Sequence, residues 1–230
     1  MEIKKGKFIV IEGIDGSGKA TQLQKLKEYL EDKNIKVSTF DFPQYSQPSS
    51  YFVREYLNGK YGHFKEVGPY RASIFFALDR YAAKSEIEIA LSTGKVAISN
   101  RYVASNMAHQ GSSIENSVER KKYFEWITNL EFNILGIPKP DLNVILHVDA
   151  VAGQVLVDKK NEREYIEDKK KRDIHEADIE HLKRTEKVYK EIAELFSGHF
   201  ATIECMSNNG IMTPEEIHAR ILNEIKPLLN

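Results

Sequence analysis

One cysteine, Cys205, stands in 230 residues, so no disulfide can form within the chain and a reducing compartment is its natural setting. No apolar run approaches the roughly 18–20 residues that a membrane span requires. The opening Met1-Glu2-Ile3-Lys4-Lys5 moves straight into a short strand-like run and lacks the long apolar stretch of a secretion signal. An excess of charge of either sign is also missing. Lys and Arg number 33 against 34 Asp and Glu, a net charge of −1, which gives no support for a generally basic nucleic-acid coat. Internal repeats and Pro/Gly/Ser-rich linkers are absent too. With 41% hydrophobic and 29% charged residues, a sizeable core can form. These features predict one soluble, cytoplasmic domain over residues 1–230, with no membrane or nucleic-acid partner.

What is present alternates between strand and helix. Residues 7–12 (KFIVIE) form a β-branched and aromatic run met at once by glycine, the pattern of a buried parallel strand. Leu23, Leu26 and Leu30 then recur at helical spacing among charged residues. Residues 35–42 read as a second strand ended by Pro43. Gly68-Pro69 opens a long helix reaching Leu91, which Gly94 stops. Residues 96–99, 142–148 and 200–205 supply three further strands. Thr213-Pro214-Glu215-Glu216 has the capping-box pattern that begins a last helix. This rhythm predicts an α/β fold, a three-layer sandwich around a five-stranded parallel sheet. Residues 158–194 are dense in both signs of charge. The part from Ile174 regains helical periodicity through Ile179, Leu182, Val188, Ile192 and Leu195. A solvated surface hairpin and a mobile lid closing over a polyanion both fit that stretch.

Chemistry enters with Gly13-Ile14-Asp15-Gly16-Ser17-Gly18-Lys19, which fits the phosphate-binding loop through its lysine. Glycines let the loop turn tightly and bring successive backbone N–H groups against phosphate oxygens. The helix that follows aims its unpaired N–H groups at the same point, and Lys19 adds a full charge. Gly13, Gly16, Ser17, Gly18, Lys19, Ala20 and Thr21 are therefore the candidate triphosphate contacts. The position after the lysine usually supplies a hydroxyl to Mg²⁺, and here it is Ala20, so Thr21 or a water must substitute or the nucleotide's own phosphates must hold the metal.

Together with segments that follow in order, this loop makes the chain resemble the thymidylate kinase family, a branch of the phosphate-loop nucleoside-monophosphate kinases. The resemblance runs from Phe8 to the final helix. It implies a phosphate-loop NTP hydrolase type of fold with a helical lid at about residues 153–178, ATP and Mg²⁺ as cofactors, dTMP as acceptor, dTDP as product and a homodimer. Asp15 matches a family carboxylate that contacts the acceptor's sugar 3′-hydroxyl and phosphate region. Asp41-Phe42-Pro43 is similar to the segment bordering the monophosphate, with Arg54 standing in for a family arginine. Ile74-Phe75-Phe76-Ala77-Leu78-Asp79-Arg80-Tyr81 resembles the base-reading helix. Phe76 would stack on thymine, and Arg80 would donate to O4 from the same helix face.

Ser99-Asn100-Arg101-Tyr102 resembles the family's Asp-Arg-Tyr, which makes Arg101 the grip on the acceptor phosphate. An arginine just past a strand's carboxyl end also lies on the binding edge of a parallel sheet. Asn100 replaces an aspartate in the metal's outer sphere; it and Thr21 are the candidate outer-sphere groups, and no direct metal ligand is assigned. Ser105-Asn106-Met107-Ala108-His109-Gln110-Gly111 resembles the family's Ser-x-x-Ala-Tyr-Gln-Gly, so Ser105 and Gln110 become candidate base contacts. His109 replaces a tyrosine and receives no catalytic role. Because the family members that lack an arginine in the phosphate loop supply one from the lid, Arg172 and Arg163 are the candidate catalytic arginines. The catalytic set is then Asp15, Lys19, Arg101, Arg172 and Arg163. Alternatives at this level are another nucleoside or nucleotide kinase, a related nucleotide-binding protein with weakened catalysis, or an ATPase acting on a macromolecule.

Overall fold

The segment Phe8–Glu12 (β1) is buried at every position, and its side chains divide between two apolar clusters. Phe8 and Val10 pack on one side, and Ile9 and Ile11 on the other. A strand buried on both faces needs a layer above and a layer below, and the computed structural model, which describes residues 5–158 and 179–229, supplies both.

After β1 come helix α1 (Lys19–Asp32), strand β2 (Val37–Asp41) and helices α2 (Tyr51–Leu57), α3 (Phe64–Val67), α4 (Pro69–Ala82) and α5 (Lys84–Ser92). Strand β3 (Val96–Asn100) is followed by α6 (Val103–Gly111), α7 (Ser117–Thr128) and a π-helical turn at Asn129–Ile134. Then come β4 (Leu142–His147), α8 (Ala150–Asp158), α9 (Ile179–Leu195), β5 (Phe200–Glu204), a small antiparallel pair β6 (Met206–Ser207) and β7 (Gly210–Ile211), and α10 (Pro214–Leu229). The main sheet is parallel throughout, in the order β2-β3-β1-β4-β5. Register pairs Ile11 and Asp41 with Asn100, and Glu12 with Ile145, so the chemistry-bearing strand ends emerge along one edge.

Helices α1 and α10 cover one face through Leu26, Leu30, Ile217, Ile221 and Ile225. The other face is covered by α5, α6, α7 and α9, through Ile87, Met107, Phe124, Ile127, Leu182 and Ile192. A third, smaller cluster joins α2, α3 and α4 around Val53, Tyr56, Phe64 and Ala72. The capping box at α10 forms as its sequence predicts, with the backbone N–H of Thr213 donating to Glu216 at 2.8 Å and that of Glu216 donating to Thr213 Oγ1 at 3.3 Å.

One expectation changes. The long helix from Pro69 breaks at Ala83 (φ −86°, ψ −2°), where no glycine or proline marks the interruption. Its first part turns Ala77 and Arg80 inward; its second turns Ile87 and Leu91 to the sheet. Of the expected lid at 153–178, only 153–158 is described, as the end of α8. No described helix is long and apolar enough to cross a membrane.

Truncating the middle of this sheet should be costly. Ile98→Ala, at a fully buried position of β3, is expected to lower unfolding free energy by about 2–5 kcal/mol, read as a shift in urea midpoint at constant slope.

Candidate active site

The chain leaves β1 at Glu12 and enters α1 at Lys19 through the glycine loop. Gly18 occupies the N-cap in left-handed conformation, with no capping side chain and no acidic residue in the first turn. The N–H groups at the start of α1 are therefore left without a capping side chain, which suits them to holding a phosphate. Gly16 has φ +80°, and a Cβ there would run into the carbonyl of Gly153 on α8. Glycine at 16 is thus required by conformation and by contact alike. Lys19 Nζ donates to Ile14 O at 2.7 Å across the loop.

Facing the loop is Arg101, a non-glycine residue at φ +65°. Such backbone costs of order 1–3 kcal/mol and persists only where its surroundings impose it. Here its own N–H donates to Ile11 O and Ser99 Oγ donates to its carbonyl. Below it lies the buried carboxylate of Glu12, which accepts from Tyr102 N (2.9 Å), Ser105 N (3.2 Å), Ser105 Oγ (2.6 Å) and Tyr189 Oη (3.0 Å). The guanidinium is held as firmly. Nη2 donates to Asp15 Oδ1 at 2.5 Å, and Nη1 reaches Gly13 O, Ser105 Oγ and His109 Nε2. Burial opposes its charge, but the Asp15 and Glu12 carboxylates outweigh that and keep the pKa above its ordinary value. Burial likewise pushes the Tyr189 phenol well above its usual range, so it serves as a hydrogen-bonding hydroxyl.

The loop and Arg101 share one cavity of about 320 Å³. Asp15, Gly16, Gly18, Lys19 and Ala20 line it from the loop, and Phe42, Pro43, Phe76, Arg80, Asn100, Arg101, Ser105 and Gln110 from the other elements. Phe76 reaches the cavity, whereas Phe75 stacks with Phe52, ring centroids 5.8 Å apart. Arg80 is buried against Glu131, to which Nε and Nη2 donate at 2.5 Å each. Gln110 accepts from Tyr56 Oη at 3.4 Å.

Several expected positions lie elsewhere. Arg54 is not among the residues lining the cavity; its Nη1 donates to Tyr45 O, Gln47 O and Ser50 Oγ and holds the loop after β2 together. Gly13, Ser17 and the exposed Thr21 are not among the residues that line this cavity. Ser105 lines the cavity, but its hydroxyl serves Glu12, Tyr189 and Arg101, so it positions the arginine and is not available to read a base. Arg163 and Arg172 lie outside the described residues.

Other lining residues carried no role in the sequence. Asp79 accepts from Gln44 N at 2.8 Å and Ser49 Oγ at 2.6 Å and ties the loop after β2 to α4. Asn106 donates through Nδ2 to Ser73 O (3.1 Å) and Glu131 Oε1 (3.2 Å), while its buried Oδ1 has no partner among the described residues. Its signal was only that it sits between Ser105 and Gln110 on one helix. At the β2–β3 edge, Asp41 accepts from Asn100 Nδ2 at 2.8 Å, and buried Asn100 Oδ1 is similarly unmatched. Asp41 and Asn100 therefore make an acceptor-rich edge without a hydroxyl ligand, which fits a divalent ion carrying its own waters and held chiefly by nucleotide phosphates.

A phosphate grip at one end and an aromatic slot with directional polar groups at the other, meeting at Arg101, suit two nucleotides placed end to end. That is the class of phosphate-loop nucleoside-monophosphate kinases. The profile of the family described as thymidylate kinase matches residues 11–217. The thymidylate kinase of Mycobacterium tuberculosis H37Rv is 34% identical over 187 residues, covering 81% of this chain and 85% of that relative. The thymidylate kinase of Bifidobacterium longum DJO10A is 28% identical over 225 residues, covering 97% and 98%. The solved thymidylate kinase of Candida albicans shares the fold with a TM-score of 0.71 at 20% identity, covering 97% of this chain and 92% of that one. The chain belongs to the thymidylate kinase family.

Removing one acceptor from beneath Arg101 tests its support. Glu12→Gln keeps an oxygen for the two backbone N–H groups but forces the Ser105 and Tyr189 hydroxyls to accept instead of donate and removes the charge beneath Arg101, and should cost about 1–3 kcal/mol in urea unfolding.

Proposed function

We propose that this protein transfers the γ-phosphate of ATP to dTMP, giving dTDP, in the cytoplasm. The observation that carries this is the placement of Arg101, clamped between the phosphate loop and α6 within the cavity that Phe76, Arg80 and Asn106 close at its far end. ATP phosphates would lie on the amides of residues 13–21 with Lys19 on the outer groups, and Arg101 would take the acceptor phosphate beside Asp15. Phosphoryl transfer asks the protein mainly to align two phosphates and to neutralise spreading charge. Arg163 and Arg172 are the proposed lid cations for that charge.

The base end favours one polarity. Arg80 can only donate and Asn106 Oδ1 only accepts, so together they match a 4-carbonyl beside an N3–H, while cytosine presents the reverse. Phe76 adds a stacking face, and Gln110 a further amide. Mg²⁺ would travel on the ATP phosphates, its waters accepted by Asp41 and Asn100; when bound it would neutralise phosphate charge.

The test is a coupled ADP-release assay with ATP and each nucleoside monophosphate in turn. dTMP should be the best acceptor, Lys19→Ala and Arg101→Ala should each cost at least about 10²–10³ in turnover, and Arg80→Ala should chiefly raise the KM for dTMP. Full activity in Arg101→Ala would refute the acceptor assignment.

The proposed homodimer finds support on α4, where Tyr70, Ile74, Leu78 and Tyr81 are each at least 40% exposed along one side while Ala77 and Arg80 face inward. Sedimentation velocity should show a dimer for the native protein and a monomer for Leu78→Glu.

A further inference from the structure

The π-helical turn Asn129–Ile134 inverts the usual order of burial: the carboxylate of Glu131 is 0% exposed and Ile134 is 69% exposed. Burying a carboxylate is costly unless charge and hydrogen bonds compensate, and an ion pair so placed is seldom the most stable way to fill a core. π-helical turns of this kind recur at functional sites. What Glu131 does with its oxygens is specific. Oε2 accepts from Arg80 Nε and Oε1 from Arg80 Nη2, both at 2.5 Å, and Oε1 also accepts from Asn106 Nδ2 at 3.2 Å.

Each contact removes a freedom that base recognition could not tolerate. A guanidinium gripped through Nε and Nη2 cannot rotate, so the edge it turns to the cavity is set. An asparagine amide could present either oxygen or nitrogen to the cavity with almost the same shape. Glu131 and Ser73 O are both acceptors, and they require Nδ2 to point at them. Oδ1, buried and without a partner among the described residues, is thereby left facing the other way. Arg80 and Asn106 both line the cavity. One anion thus fixes a donor and an acceptor at the same end of the site.

We propose that Glu131 is a positioning residue for base choice: by holding Arg80 and the amide of Asn106 in one orientation, it makes the site accept a 4-oxo pyrimidine with a protonated N3 and reject a 4-amino pyrimidine. It touches no substrate atom. Its neutral isostere would orient Arg80 through one oxygen only, and would place an N–H where Asn106 or Arg80 also donates, so the asparagine amide would be held by Ser73 O alone or would face a competing donor.

Because this presupposes that the cavity holds a pyrimidine nucleotide, wild-type protein is assayed first, with dTMP and dCMP. Failure to make dTDP would sink the substrate assignment and this proposal together. With an active wild type, Glu131→Gln should raise the KM for dTMP by at least about tenfold and shrink the dTMP-to-dCMP ratio of kcat/KM by at least about tenfold. The KM for ATP should stay unchanged, and kcat at saturating dTMP should remain within about threefold. Glu131→Asp, which keeps the charge but retracts it, should fall between the two. A folded Glu131→Gln with native discrimination, or one whose loss falls on kcat and ATP KM alike, would overturn the role of Glu131 while leaving the substrate standing. Should that variant not fold, nitrogen-15 NMR of the wild type decides. The Arg80 Nε–H, assigned through Arg80→Lys, should remain protected from exchange when dTMP binds; its release on binding would show that Glu131 does not hold the arginine in the complex, and would overturn the proposal.

Discussion

The carboxylate of Glu12 receives four donors at the end of β1: two backbone N–H groups at the start of α6, the hydroxyl of Ser105 and the phenol of Tyr189 from α9. Everything above it follows from that anchorage. The turn between β3 and α6 can hold Arg101 in left-handed backbone because its flanking amides are tied down, and the guanidinium then has no choice but to lie between Asp15, Gly13 O and Ser105. A strained conformation is stable only when over-determined. Here the determination comes from β1, α6 and α9, and α9 begins immediately after the segment in which the lid is expected.

The cavity is also where hydrogen bonding is incomplete. Asn100 Oδ1 and Asn106 Oδ1 are buried acceptors without partners among the described residues, and both asparagines line the same space. An unmatched buried polar atom costs about 1–3 kcal/mol, and a ligand that supplies the missing donor recovers that cost on binding. On the proposed function, Asn106 would look to a base N–H, and Asn100 to water around a phosphate-bound cation. The missing hydroxyl at Ala20 and the missing charge at Asn100 fall on the metal side alone. Arg101 and Lys19 both line the cavity. On the metal side, Asp41 brings a carboxylate from the neighbouring strand to within 2.8 Å of Asn100.

Much of the architecture was legible in the chain. β1 reads as a buried strand because five consecutive apolar or terminal residues precede a glycine turn, and residues 13–19 read as a phosphate loop because tight backbone approach needs glycine whatever the rest of the fold does. The capping box of α10 is equally local. Signals that depend on partners far away were not legible. Arg54 stood as a phosphate contact because arginine type and nearness to Pro43 are all that sequence offers; the carbonyls of Tyr45 and Gln47 that occupy it become visible only in space. Ser105 was assigned to a base for the same reason, before Glu12 and Tyr189 were known to surround it.

By itself, the sequence determined the order of strands and helices, the glycine loop with its lysine, and the placement of Phe76 and Arg80 on one turn of helix, since each arises from interactions within a few residues. Tertiary structure alone decided the left-handed backbone of Arg101, the break at Ala83, and the burial of Glu131 against Arg80. Glu12 and Tyr189 are 177 residues apart and Arg80 and Glu131 are 51 apart, and no local pattern encodes which distant donor will meet a buried carboxylate. The chain's periodicity sets which faces turn inward; close packing of those faces then selects, among the few polar groups caught between them, the pairs that satisfy one another.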